Sequence, residues 1–323
     1  MKRLFFLVGL ALLVVIACNK SGMNENSLSN SNDNAIPSQR SCAANDVLEE
    51  QMKQDPSLKQ RMDEIEAFTR RYVENPTSNR GSSTITIPVV VNILYKTNSE
   101  NISPAQINSQ ITALNDDYSA QNSDYNNTPS VFQSVRSGDV GVRFSLFQVI
   151  RKSTNKKSWQ ANDAMKKSSQ GGIDPTDPNH KLNIWVCTLG GSLLGYAQFP
   201  GGPSSTDGVV ILNTGFGTTG TATAPFDKGR TATHEIGHWM NLRHIWGDTN
   251  CGNDFVNDTP IHTTSNFGCP SFPDNSNCGG TTHPMMTMNY MDYTDDGCMF
   301  MFTQGQKDRM LAVFAPGGPR QNF

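Results

Sequence analysis

His234 and His238 stand four residues apart with Glu235 beside the first, and a third histidine, His244, follows six residues after the second. On a helix, a spacing of four sets two side chains one turn apart on a single face. Two imidazoles so placed can hold one metal ion between them, and zinc accepts such nitrogen donors readily. A carboxylate next to the first ligand can take the proton of a zinc-bound water, so Glu235 reads as a general base. A continuous helix would carry residue 244 well round its axis, so the chain must leave the helix and turn back. Asn241 lies where that turn is needed, and asparagine tolerates the left-handed backbone that ends helices. Glu235 is the last glutamate in the sequence, which leaves no downstream glutamate to act as third ligand. Asp248 is a possible substitute, but a histidine at a suitable place needs none. The residues point to zinc held by His234, His238 and His244, with one coordination position open for hydrolysis.

The elements around this motif follow from the rest of the chain. At 323 residues there is length for one large domain with extras, and a net charge of −3 gives no electrostatic case for nucleic-acid binding. Charged residues are only 17%, and the wealth of Asn, Ser, Thr and Gly suits a loop-rich extracytoplasmic protein. Lys2 and Arg3 precede an apolar run from Leu4 to Ala17 that is short for a membrane span. Its end, Val15-Ile16-Ala17-Cys18, resembles a bacterial lipoprotein signal: residues 1–17 are removed and Cys18 carries the lipid that anchors the protein to a membrane. Residues 18–84 read as a tether and a prosegment. The stretch to about Pro37 is low-complexity, residues 45–75 are helix-forming with a break at Pro56, and Thr77 to Ser83 is a linker. Cys42 in this segment can place a thiolate in the open position of a catalytic zinc and keep water out until the segment is removed.

From Ile85 the pattern becomes that of a mixed α/β domain. Ile87 to Tyr95, Val142 to Ile150, Leu182 to Cys187 and Gly208 to Leu212 read as strands. Ser103-Pro104-Ala105-Gln106 announces a helix with Ile107, Ile111, Leu114 and Tyr118 on its apolar face. Gly190 to Pro203 reads as a loop, and the zinc helix as Asp227 to Met240. Gly247 to Gly297 has too little apolar surface to hold itself together, so disulfides and bound ions are expected there. Of seven cysteines, Cys187 reads as a buried thiol. Cys251, Cys269, Cys278 and Cys298 cluster after the zinc motif, where four cysteines allow three pairings. Thr303-Gln304-Gly305-Gln306 is a capping box for a last helix that packs back through Met310, Leu311 and Phe314. His180, His262 and His283 have no ligand spacing and read as surface residues.

The zinc motif resembles that of the metzincins, in which three histidines precede a methionine turn, and Asn289-Tyr290-Met291-Asp292-Tyr293 resembles that turn. More narrowly, residues 85–314 resemble the pappalysin family and its small prokaryotic members. The resemblance rests on Leu182 to Val186, Gly195-Tyr196-Ala197-Gln198-Phe199-Pro200, Asp258-Thr259-Pro260 and Tyr290 through Gln306. It implies an endopeptidase acting on proteins or peptides, with an upper subdomain (85–240) and a lower one (241–323) separated by a horizontal cleft. Met291 would lie beneath the metal and Tyr293 would help hold the oxyanion, worth roughly 3 kcal/mol for one lost donor. The family pairs Cys251 with Cys278 and Cys269 with Cys298. It binds calcium, here through Asp254, Asp258 and carbonyls at Val256 and Thr259. It prefers Arg or Lys just after the scissile bond, read here by Asp295 and Asp296, and such a preference fits self-cleavage before Arg80. One departure is Asn241, where metzincins usually have glycine. Two rivals are a zinc hydrolase with Asp248 as third ligand and a non-catalytic, zinc-stabilised surface lipoprotein.

Overall fold

A five-stranded sheet in the order β2-β1-β3-β5-β4 carries the fold, in a computed structural model that describes residues 36–75 and 84–323. The signal, Cys18 and the sites around residue 80 lie outside the described residues. β1 (Ile85–Tyr95), β2 (Val142–Ser153), β3 (Leu182–Cys187) and β5 (Val209–Leu212) run parallel, and β4 (Gly195–Ala197) pairs antiparallel with β5 at one edge. Parallel sheets need cover on both faces, and the alternation of β3 supplies it. Ile184 and Val186 face a core with Ile107, Leu114, Tyr118 and Ile236, while Trp185 and Cys187 face one with Trp159, Met165 and Phe226. Cys187 is thus a buried free thiol. α3 (Pro104–Tyr118) connects β1 to β2, as a parallel pair requires. Its Ser103 cap accepts from the Gln106 amide, but the Gln106 side chain donates to the carbonyls of Asn213 and Phe216 instead of closing a capping box.

β4 falls inside the stretch read as a loop, because three residues are too few to show a period of two. The zinc helix, α4 (Arg230–Trp239), is shorter than the sequence suggests. Gly229 takes φ +76° just before it, and the Asp296 carboxylate caps its start by accepting from the Lys228 and Arg230 amides. Asn241 adopts φ +72° after it, and the Leu242 amide returns to the Gly237 carbonyl.

Between α4 and the last helix the chain is largely irregular, with a hairpin of β6 (Asn275–Cys278) and β7 (Thr281–Pro284) turned by Gly279 and Gly280, both at positive φ. Cys251 is bonded to Cys278 and Cys269 to Cys298. α5 (Gln304–Ala312) starts with both bonds of the Thr303–Gln306 capping box and buries Met310. His262 is not a surface residue: it is fully buried, and its Nε2 accepts from the Met286 amide at 2.9 Å. His180 is exposed and paired with Asp177, and His283 bonds the Ile261 carbonyl.

The leading segment forms α1 (Ala44–Gln54) and α2 (Ser57–Glu74), separated around Pro56. α2 buries Leu58, Met62 and Thr69 and packs across α5, where Glu66 pairs with Arg309 at 2.8 Å. No helix among the described residues is long and apolar enough to cross a membrane.

Candidate metal centre

The turn at Asn241 brings His244 back to the face of α4 that carries His234 and His238. The His238 Nε2 lies 3.2 Å from that of His234 and 3.1 Å from that of His244. Each ring is aimed by its other nitrogen. Nδ1 of His234 faces the Tyr290 carbonyl at 2.7 Å, that of His238 the Leu242 carbonyl at 2.8 Å, and that of His244 the Asp248 carboxylate at 2.5 Å. With the proton on Nδ1 in all three, three lone pairs converge on one point, which is unfavourable without a cation between them. Tetrahedral zinc with bonds of about 2.0–2.1 Å sets its nitrogens roughly 3.3 Å apart, so the donors fit that ion. Burial, then the neighbouring imidazoles, hold the His234 and His238 pKa values well below the usual range. Neutral imidazole is the form that binds metal. Asp248, weighed above as a third ligand, instead lies behind His244 as its hydrogen-bond acceptor.

Cys42 Sγ joins the three imidazoles, all four ligand atoms lying within 4.8 Å of one another. This sulfur also donates to Glu235 Oε2 at 3.2 Å. Burial pushes the Glu235 carboxyl up to about 8, against the pull of the Cys42 hydrogen bond and Arg40. Burial, then the Glu235 charge, pushes the Cys42 thiol well up. Gly195 lets strand β4 come this close, since a Cβ there would lie 2.7 Å from the Val210 carbonyl and 3.0 Å from Glu235 Cγ. Met291 is fully buried under α4, where a Cβ on Gly237 would strike its sulfur at 2.5 Å. The Tyr293 hydroxyl donates to the Cys42 carbonyl at 3.2 Å and accepts from the Cys42 amide at 3.3 Å, over the centre.

The two acidic candidates part company. Asp296 is fully buried and pairs with Arg40 of the leading segment at 2.6 Å, whereas Asp295 makes no such pair. Arg40 also donates to the Thr294 carbonyl and to Thr231 Oγ1, and it lies over the Phe226 ring. In the lower loops, Asp254 accepts from the Val256 amide and Thr259 Oγ1, and Asp258 Oδ2 from the Gly305 amide. Asp258 Oδ1 is buried without a partner among the described residues.

Sequence reasoning missed Arg40, 256 positions from Asp296, and Trp246, whose ring stacks on His244 at 4.4 Å. It also missed the pair Asn266 and Asp292. Asp292 Oδ1 accepts from the amides of Asn266 and Tyr293, which sets the direction of that tyrosine. No local spacing signals any of these contacts.

A family profile described as pregnancy-associated plasma protein-A matches residues 176–315. The chain is 35% identical to an extracellular metalloprotease of Coccidioides posadasii over 66% of its own length and 70% of that protein. Among solved structures it is similar to mature mirolysin of Tannerella forsythia in complex with a cleaved peptide, with 46% identity and a TM-score of 0.72, covering 75% of this chain and 96% of that one. It is also similar to a promirolysin variant of the same organism, with 44% identity and a TM-score of 0.77, covering 84% and 94%. A convergent three-imidazole site on a mixed α/β fold, with relatives of this kind across most of its length, has one reading: the chain belongs to the pappalysin family of zinc metalloendopeptidases.

Proposed function

We propose that this chain is the latent form of an exported endopeptidase in which Glu235 is the general base and residues 36–75 are the inhibitory prosegment. The observation that carries the reading is Cys42, whose sulfur lies with the three imidazole nitrogens and against Glu235. When bound, zinc supplies a Lewis acid that makes a proton of water available near neutrality. Glu235, buried beside His234, is positioned to take that proton and pass it to the leaving amine. The Tyr293 hydroxyl, freed from Cys42, can donate to the oxyanion. While Cys42 is present, its sulfur and backbone engage both groups.

Arg40 supports a preference for Arg or Lys after the scissile bond, because it fills the Asp296 position as a substrate side chain would. In a substrate that basic residue follows the bond to be cut, yet Arg40 precedes the residue at the metal. The prosegment therefore crosses the site with the opposite chain direction and offers no bond for cleavage, an order that supports inhibition. Self-cleavage before Arg80, a lipid on Cys18 and export complete the proposal; relatives described as extracellular support the last. Asp254 and Asp258, with the Val256 and Thr259 carbonyls, are proposed to hold calcium. Burial pushes the Asp254 carboxyl up to about 7, and Asp258 Oδ1, without a partner among the described residues, is a hard oxygen donor.

One experiment tests the core of this. Full-length protein should carry zinc yet leave casein uncut, and removal of the segment before residue 85 should release a peptidase that o-phenanthroline stops. Glu235→Gln should keep the zinc and lose the turnover. Normal peptidase activity in that variant would mean the base is misassigned.

A further inference from the structure

Arg40 and Cys42 are not the only prosegment groups that satisfy buried polar atoms beside the site. The chain runs parallel to the open edge at β4: the Ser41 carbonyl accepts from the Leu194 amide, and the Ala43 amide donates to the Gly195 carbonyl. Continuing in that direction, away from Asp296, it reaches Gln51 at the end of α1. The Gln51 Nε2 donates to Asp163 Oδ2 and to Gln198 Oε1, both at 3.2 Å. The two acceptors are only 6% and 1% exposed.

Their aim is fixed by a frame that does not involve the prosegment. Asp163 Oδ1 receives the Tyr196 hydroxyl at 3.0 Å and the fully buried Lys166 ammonium at 2.9 Å. Gln198 donates through Nε2 to the Pro203 carbonyl and accepts from Thr206 Oγ1, which leaves its oxygen as the end facing Gln51. Among the described residues, Gln51 is the side chain that donates to Asp163 Oδ2. One turn before it, Val47 packs with Trp159, Ala164 and Leu194. Removal of the segment therefore opens an apolar wall leading to Asp163 Oδ2, which loses its side-chain donor, and to Gln198 Oε1, which keeps Thr206 Oγ1 and gains room for a second donor.

We infer that in the mature enzyme Asp163 and Gln198 form a second specificity subsite, across the metal from Asp296, for a substrate side chain with an apolar stem and terminal N–H donors. Gln198 stands three residues beyond Gly195 along the β4 edge. A substrate added to that edge in extended form would present the matching side chain about three residues before the scissile bond. Because Lys166 already balances the Asp163 charge, glutamine serves as well as lysine or arginine. Glutamate would set acceptor against acceptor and is excluded. The inference rests on the peptidase reading above and on departure of the prosegment.

The test uses matured, zinc-loaded enzyme and quenched fluorescent peptides with arginine fixed after the scissile bond. Gln, Lys, Leu or Glu is placed at each position from about two to about four residues before it. At one position, kcat/KM for Gln and Lys should exceed that for Glu by about tenfold or more, the worth of one buried hydrogen bond. Asp163→Asn should shrink the Lys-over-Leu ratio at that position and no other. That variant can unsettle Lys166, so the substrate series on the unaltered enzyme decides the matter alone. Equal rates for Gln and Glu throughout would make the Gln51 contact a prosegment latch only and overturn the proposal. Absence of cleavage for every peptide would overturn the peptidase reading, and this subsite with it.

Discussion

At the scale of single residues, the centre depends on groups that never meet the metal. Asp248 holds the His244 ring by Nδ1 while Trp246 stacks on its face. Such outer partners fix the tautomer and raise the basicity of the ligand nitrogen. Asp248→Ala should therefore weaken zinc binding by about 10–100-fold in a competition titration with a chelator, and an unchanged affinity would show His244 to be held by packing alone. The three histidines and Glu235 were legible in the sequence because the helix period and the left-handed turn at Asn241 are local geometry. His262 was misread for the converse reason. Its partner is a backbone amide at Met286, and a lone histidine beside such a partner has no pattern to betray it.

At the scale of elements, α2 is the clamp of the leading segment. The Glu66–Arg309 pair ties it to α5, and Asn241 at the end of the zinc helix donates to Thr69. Burial raises the Glu66 carboxyl, but the hydrogen bonds and charge of Arg309 outweigh it and leave the pKa below the ordinary value. A depressed carboxyl stabilises in full above its unfolded pKa, and that stabilisation fades as the pH falls through its folded value. In a Glu235→Gln background, chosen to exclude the proposed self-processing, Glu66→Gln should speed hydrogen exchange across α2 at neutral pH. The gap to the unaltered chain should narrow below about pH 4. An equal exchange rate at pH 7 would remove Glu66 from the clamp. The helix pair and its break at Pro56 could be read from composition and proline, and the long strands from β-branched runs. β4 could not, since a strand of three residues is defined by its partner β5 and not by its own period.

At the scale of the whole molecule, the sheet half and the loop half are held by different means. The sheet has two apolar cores, whereas residues 247–297 add to a smaller cluster around Met286 and Met288 two disulfides and the hydrogen-bonded carboxylates Asp254 and Asp258. If the proposed calcium site exists, calcium added to zinc-loaded, calcium-free protein at about 100 times its Kd should contribute roughly 2.7 kcal/mol and raise the thermal midpoint by about 5–10 °C in a domain of this size. Asp258→Asn should abolish most of that rise; a midpoint indifferent to calcium would rule the site out. The need for disulfides in the loop half was legible in its composition, but the Asp258 oxygen that lacks a partner among the described residues needed the fold to bury it. The run Arg40-Ser41-Cys42 has a last consequence. Three consecutive residues reach both the metal centre and Asp296, and on the proposed reading they are an inhibitor that stays covalently joined to its enzyme. Joined to the enzyme, it would act at an effective concentration of millimolar order, so that even a modest intrinsic affinity would keep the site filled. A cut between the two would dilute the same segment to the concentration of the protein itself, and dissociation would be favoured without any contact having weakened.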